Sequence, residues 1–364
     1  MGAFITSFGT SLPENRVSQK DLTTFMSNNL DLNETKEKEM KVFFRASGIH
    51  TRHTVLKDYT SSNGNLNFFP NSLSLESFPG VSSRMEVFRK EALKLSIEAS
   101  KKCIGSSSTD SISHLITVSC TGMYAPGLDF DLVKYLGLSS SINRTAINFM
   151  GCYAAFNAMK LANDICKANK SARVLIVCVE LCSIHFQKDT DLDTLLANAL
   201  FGDGAASIMV EGKTQNSIKM EMENFHCDLM TEGEQDMTWK IGEHGFKMTL
   251  SSYVPDLIKK GIKSLIDNLL NQFELDASQI QHFAIHPGGK KILEVIESEL
   301  NISKEDNRHA YSIMKNCGNM SSPTILFVLE LIFLELKEKD KGSKILGMAF
   351  GPGLTLESML LKVS

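Results

Sequence analysis

Three side chains combine a useful chemical type with a telling position: Cys152, His286 and Asn319. Cys152 follows Gly151 where the run Ala146-Ile147-Asn148-Phe149-Met150, read as a strand, gives way to a helical pattern from Ala154 to about Lys167. A thiol at such a turn faces unpaired N–H groups and a partial positive charge, both of which favour the thiolate. Gly151 allows a tight turn and leaves the approach open. The setting suits a nucleophile that forms a thioester, and equally a buried structural cysteine at a helix start. His286 closes the run His282-Phe283-Ala284-Ile285 and enters Pro287-Gly288-Gly289, a loop with little bulk beside the imidazole. Such a ring can donate to a thioester carbonyl or an enolate, or be a satisfied structural histidine. Asn319 lies past Gly318 and before a helical pattern from about Pro323 to Lys337. It is expected at a strand-to-helix turn equivalent to that of Cys152, as a neutral donor or as a helix cap.

Together the three describe one chemistry. Thioester condensation needs an acyl group held covalently and an enolate stabilised by neutral hydrogen-bond donors.

The elements that must position them alternate between strand and helix, which predicts an α/β architecture. After Cys152 come a helix, a basic turn and the strand Val174 to Val179. Around Asn319, the run Ala310-Tyr311-Ser312-Ile313-Met314 leads into the turn, followed by a helix, a basic turn and the strand Ile345 to Phe350. A second pair matches as well. His114 to Val118 precedes a helix around Asp129 to Leu136, and His282 to His286 precedes one from Lys291 to Leu300. Two similarly ordered halves, 1–213 and 214–364, are expected to meet at the site. Polar loops are expected at Ser61 to Asn65 and Ser106 to Thr109.

A chain of 364 residues with 43% hydrophobic and 22% charged residues has the material for a sizeable core and the balance of a soluble globular protein. A net charge of −4 gives no reason to expect nucleic-acid binding. The start, Met1 to Thr6, reads as a short strand and not as a leader peptide. The strongest apolar run, Ile325 to Leu336, contains Glu330 and Glu335 and suits a core helix, with Pro323 near its first turn. Eight scattered cysteines without CxxC pairing point to reduced thiols in a cytoplasm.

Several motifs make the reading specific. Gly151-Cys152-Tyr153-Ala154-Ala155, Phe201-Gly202-Asp203-Gly204-Ala205-Ala206 and His286-Pro287-Gly288-Gly289 occur in order, followed by Gly318-Asn319-Met320-Ser321-Ser322 and Gly351-Pro352-Gly353-Leu354-Thr355. The chain resembles the chalcone-synthase-like, type III polyketide synthases of the thiolase superfamily, as a bacterial-type member. The resemblance implies a thiolase-like, five-layered αβαβα fold, a homodimer, and a coenzyme A tunnel leading to a buried cavity. It implies acyl-CoA and malonyl-CoA as substrates, with no metal or other cofactor, nucleic acid or membrane insertion. By the same resemblance Cys152 is the nucleophile, and His286 and Asn319 stabilise the enolate.

The departures from the plant pattern bear on substrate. Two gate positions, usually Phe, fall by alignment at Met220 and Met248, anchored by Val254-Pro255. A wall position that is often small falls at Trp239, the only tryptophan, which shrinks the cavity and favours small or aliphatic starters. Cys182 and His185 replace cavity threonines, and Thr121 joins them in the expected lining. Cys120 replaces a threonine that, with Glu180 and Ser321, is tied to the choice of cyclisation; a thiol is a weaker hydrogen-bond partner than a hydroxyl. Lys41, Arg45, Arg52, Lys290 and Lys291 are candidate cations for the phosphates of coenzyme A.

Other readings fit less well. Gly288-Gly289-Lys290 lacks both the earlier glycine and the following hydroxyl of a phosphate loop. Cys178, Cys182 and His185 lack a second ligand pair for zinc. A ketoacyl-carrier-protein synthase III shares the expected triad but usually has Gln-Ala-Asn after the histidine. A catalytically silent partner subunit would not need the triad intact.

Overall fold

The computed structural model describes residues 2–61, 65–251 and 254–364; most of the expected loop at Ser61 to Asn65 lies outside them. The chain opens with β1 (Ala3–Ser11) and a small hairpin-like pair, β2 (Asn15–Ser18) and β3 (Thr51–Thr54), separated by α1 (Gln19–Asn29) and α2 (Glu34–Ala46). The first half continues with α3 (Val81–Ile104), β4 (His114–Ser119), α4 (Leu128–Leu136), β5 (Asn143–Asn148), α5 (Ala154–Ala168), β6 (Arg173–Leu181), α6 (Leu192–Leu200) and β7 (Asp203–Glu211). The second half holds β8 (Met220–Leu229), the hairpin β9 (Met237–Gly242) and β10 (Gly245–Leu250), and α7 (Val254–Gln272). It ends with β11 (His282–Ile285), α8 (Lys290–Leu300), α9 (Arg308–Cys317), α10 (Thr324–Glu335), β12 (Lys344–Gly351) and β13 (Thr355–Val363).

Nine strands form one mixed array in the order β11-β12-β13-β8-β1-β7-β6-β4-β5. The duplication is visible in the pairing. From β1 outward, β7 is antiparallel, β6 is antiparallel to β7, and β4 is parallel to β6. From β8 outward, β13 is antiparallel, β12 is antiparallel to β13, and β11 is parallel to β12.

Helices α5 and α10 form the middle layer, sharing one buried cluster with both wings of strands. Ala154, Ala155, Ala158 and Ala162 give α5 a surface of small side chains. In α10, Ile325, Leu326, Val328 and Leu329 are fully buried, each worth roughly 1.5–3 kcal/mol on removal from water. One outer cluster joins α1 to α4 with the first-half strands, and another joins α7 to α9 with the second-half strands. Strand β6 is covered on both faces and accordingly reads as a continuous apolar run.

One element differs from expectation. Ala310 to Met314 is helical, part of α9, so Asn319 lies between two helices and not after a strand. The buried residues Ala310, Ile313, Met314 and Cys317 recur at helical spacing. Strand β5 therefore has no partner in the second half; only an isolated parallel bridge, Phe201 to Asn319, forms in that part of the chain.

Candidate active site

Cys152 sits in a turn built by main-chain geometry. Phe149 and Gly151 have φ of 62° and 82°, and a Cβ on Gly151 would come within 2.4 Å of the Pro352 ring. A Cβ on Gly351 would meet the Tyr153 ring at 2.5 Å. Two of the recurrent motifs are thus in contact, and their glycines are needed for that approach. The thiol is buried, and burial pushes its pKa up to about 11, with the Ser321 hydrogen bond opposing and the Glu180 charge adding to the shift. The expected resting thiolate is therefore not what this environment favours. The first helical residue of α5 is two positions downstream, and desolvation is the largest influence on the thiol.

Asn319 reaches the same point from the opposite half. Its main chain is held on both sides, its N–H donating to Leu200 O at 2.9 Å and its carbonyl accepting from Gly202 N–H at 2.9 Å. Its side-chain Oδ1 accepts from Ser321 N–H at 2.8 Å. That contact fixes the amide orientation, so Nδ2 is the atom turned toward Cys152 Sγ, at 4.0 Å. Gly288 O lies 3.5 Å from the same nitrogen.

His286 directly follows β11, and its N–H donates to Met348 O at 2.8 Å. The ring is buried, with no hydrogen-bond partner at Nδ1 or Nε2 among the described residues. Burial pushes its pKa down to about 3, so the imidazole is neutral and has a donor to offer. Cys152, His286 and Asn319 all line one cavity.

Behind the nucleophile lies the fully buried Glu180 carboxylate. It accepts from Thr121 Oγ1 at 2.7 Å, Ser322 Oγ at 2.5 Å, Ser119 Oγ at 3.2 Å and the Cys120 N–H at 3.0 Å. Burial raises its pKa, and these donors oppose the rise. The Cys120 and Ser321 side chains meet at 3.4 Å.

The cavity wall is aromatic. His185 lies parallel to Phe246 with ring centroids 4.2 Å apart. Its Nδ1 accepts from Phe246 N–H at 2.9 Å, and its Nε2 then donates to Thr121 O at 2.6 Å. With both nitrogens committed and a pKa pushed down to about 3 by burial, His185 is a neutral prop. Trp239, Met248 and Cys182 also line the cavity, and burial drives the Cys182 thiol well above its ordinary range.

Two expected positions, Met220 and Glu180, do not line the cavity. Met220 is fully buried at the start of β8, packed in the cluster with Ala3 and Ile5. Phe201, already present in one of the motifs, lines the cavity and bridges to Asn319. Arg52 borders the cavity but is buried, its guanidinium turned to main-chain carbonyls and not to solvent.

The remaining cations lie at the surface. Lys41 pairs with Glu37 at 2.5 Å and Lys290 with Glu294 at 3.6 Å, while Arg45 and Lys291 are exposed. Lys290 also stands beside Gly48, so the end of α2 and the start of α8 are neighbours. Ser322 stands in one of the motifs, but its bond to Glu180 has no local signal, and neither does the contact of Phe246 with His185.

The model for the N-terminal domain of chalcone and stilbene synthases matches residues 2–214, and that for their C-terminal domain matches residues 221–364. The chain is 31% identical over 371 residues to the probable polyketide synthase 1 of Dictyostelium discoideum, covering 99% of this chain but 11% of that protein. It is 33% identical over 290 residues to the alpha-pyrone synthesis polyketide synthase-like Pks18 of Mycobacterium tuberculosis, covering 78% of this chain and 74% of that one. The structure of PKS-I from the brown algae Ectocarpus siliculosus superposes with a TM-score of 0.92 at 29% identity, covering 99% and 98% of the two chains. The C-terminal type III polyketide synthase domain of Steely1 from Dictyostelium gives 0.89 at 28%, covering 100% and 99%. Among the described residues no helix is long and apolar enough to cross a membrane. The chain belongs to the chalcone and stilbene synthase family of type III polyketide synthases, which are acyltransferases, and has their thiolase-like fold.

Proposed function

We propose that the protein loads an acyl group from acyl-CoA onto Cys152, extends it by iterative decarboxylative condensation with malonyl-CoA, and cyclises the product. The observation that carries this reading is the Asn319 amide, whose orientation is fixed by Ser321 and whose donor faces Cys152 Sγ in a cavity shared with a neutral His286.

The Cys152 sulfur attacks the acyl-CoA carbonyl, and coenzyme A leaves with the proton that the thiol gives up. Malonyl-CoA then loses carbon dioxide, and the electron pair of the broken bond becomes the enolate of acetyl-CoA. Neutral donors from His286 and Asn319 hold the enolate oxygen. The enolate carbon attacks the Cys152 thioester, the sulfur departs, and a β-ketoacyl-CoA longer by two carbons forms. Loss of carbon dioxide drives each round forward.

The halves 1–213 and 214–364 divide this work, the first supplying the nucleophile and the second the two donors. Arg45, Lys290 and Lys291 are proposed to meet the coenzyme A phosphates from the surface, with Lys41 beside them. The Trp239 ring favours a small or aliphatic starter, or malonyl-CoA alone. A homodimer is proposed as well, supported by β5, an outermost strand whose residues Asn143 to Ala146 are exposed. The proposed compartment is the cytoplasm.

The test is incubation of the purified protein with malonyl-CoA and a panel of acyl-CoAs, with the same acyl groups on a carrier protein for comparison, and product identification by mass spectrometry. Multiply extended products from CoA substrates are expected. A single condensation from carrier-bound substrate alone would favour the synthase III reading, and no adduct with any substrate would favour a silent subunit.

A further inference from the structure

Arg52 lies in β3, opposite Val17 of β2, and is 3% exposed. No carboxylate lies within ion-pair distance of it among the described residues. Its partners are main-chain oxygens at the end of α6 and the side-chain oxygen of Gln19 in α1. Nη1 donates to Asn198 O at 2.9 Å and to Phe201 O at 2.7 Å, while Nη2 donates to Ala199 O and to the Gln19 side chain. The last carbonyls of a helix have no partner within it and carry partial negative charge, so a forked cation satisfies several at once. Burial costs the guanidinium its hydration, which lowers its pKa to about 10 but leaves it charged.

The segment so clamped is the one that holds Asn319. Leu200 O accepts from Asn319 N–H, Gly202 N–H donates back to Asn319 O, and Phe201 forms the bridge to Asn319. The packing is close: a Cβ on Gly202 would come within 3.2 Å of Arg52 Cβ, and one on Gly318 within 3.6 Å. Gln19 braces the same place, its Nε2 donating to Ala199 O at 2.9 Å.

We propose that Arg52 is a positioning residue for Asn319, fastening the end of α6 so that the amide meets the enolate oxygen, and that it does not bind coenzyme A. This assignment rests on the role given to Asn319 above. It separates the two half-reactions: loading of Cys152 does not need the clamp, and decarboxylation of malonyl-CoA does.

The experiment compares wild type with Arg52→Lys, which keeps the charge but has no fork to span three carbonyls, and with Gln19→Met, a milder loosening of the same clamp. Three quantities are read: acyl loading on Cys152 by intact mass, kcat and KM for carbon dioxide release from malonyl-CoA, and hydrogen exchange in residues 317–321. For Arg52→Lys, kcat for decarboxylation falls about 10- to 100-fold, as expected for a displaced reacting group. KM stays within about twofold and loading persists, the pattern of a lost transition-state contact. Exchange in 317–321 quickens in both variants. A raised KM at unchanged kcat would return Arg52 to coenzyme A binding and overturn the proposal. Equal loss of loading and decarboxylation, or unchanged exchange in both variants, would overturn it too. If wild type itself releases no carbon dioxide, the functional reading fails, and the exchange measurement still decides whether the clamp exists.

Discussion

The indole N–H of Trp239 donates to the main-chain carbonyl of Cys120 at 2.6 Å. A ring from the β9–β10 hairpin is thereby tied to the residue that follows β4, and its edge-on contacts with His185 and Phe246 hold it from the other side. The cavity wall is braced at both ends. Trp239→Ala is expected to raise kcat/KM for bulky aromatic acyl-CoAs relative to short aliphatic ones by about tenfold or more. An unchanged ratio would mean that the ring does not limit the starter.

Acid stability is set partly by His185 and His286. Both have folded-state pKa values pushed down to about 3 by burial, against an ordinary value of 6.5. Between these values the unfolded chain binds more protons than the folded one, so stability rises with pH through this window. Their contribution is complete above pH 6.5 and is lost as pH falls toward 3. Each group adds on the order of 1.4 kcal/mol per pH unit inside the window. His286→Gln, which retains a polar side chain without a titrating ring, should flatten the dependence of denaturation midpoint on pH by about one proton. A slope equal to that of wild type would show that this ring titrates normally.

The resting thiol gives a kinetic signature. With the Cys152 pKa near 11 through burial, alkylation by a neutral haloacetamide should quicken about tenfold per pH unit between about pH 6 and 9. A plateau reached below pH 7 would reveal a thiolate in the free enzyme.

Glu180 is surrounded by donors alone. In Glu180→Gln the new amide group must face hydroxyl or N–H donors with one acceptor fewer. The expected loss is about 3 kcal/mol or more, since a buried charged acceptor in a satisfied network is removed. Chemical denaturation measures it, and a loss below about 1 kcal/mol would contradict the network's structural weight.

Much of this was legible beforehand because it depends on local pattern. Burial on both faces gave β6 its continuous apolar run, and the sharp turn at Gly151 marked Cys152. What escaped depends on tertiary neighbours. The Ala310 to Met314 run contains Tyr311 and Ile313, which suit a strand, and the helical face of α9 emerges only when Ala310, Ile313, Met314 and Cys317 are taken together. Arg52 looks like any other basic residue of its region until the end of α6 folds over it. Met220 is expected at the gate, and β8 carries it into the sheet instead. His185 lines the cavity as expected, yet its nitrogens are occupied by main-chain groups more than fifty positions away in sequence.

The most direct test is the mass of the protein and of its Cys152 peptide after exposure to an acyl-CoA. Wild type should gain one acyl group at Cys152, Cys152→Ala should gain none and form no product, and Asn319→Ala should load but release little carbon dioxide from malonyl-CoA. Product formation by Cys152→Ala at the wild-type rate, or acylation at another residue alone, would contradict the account.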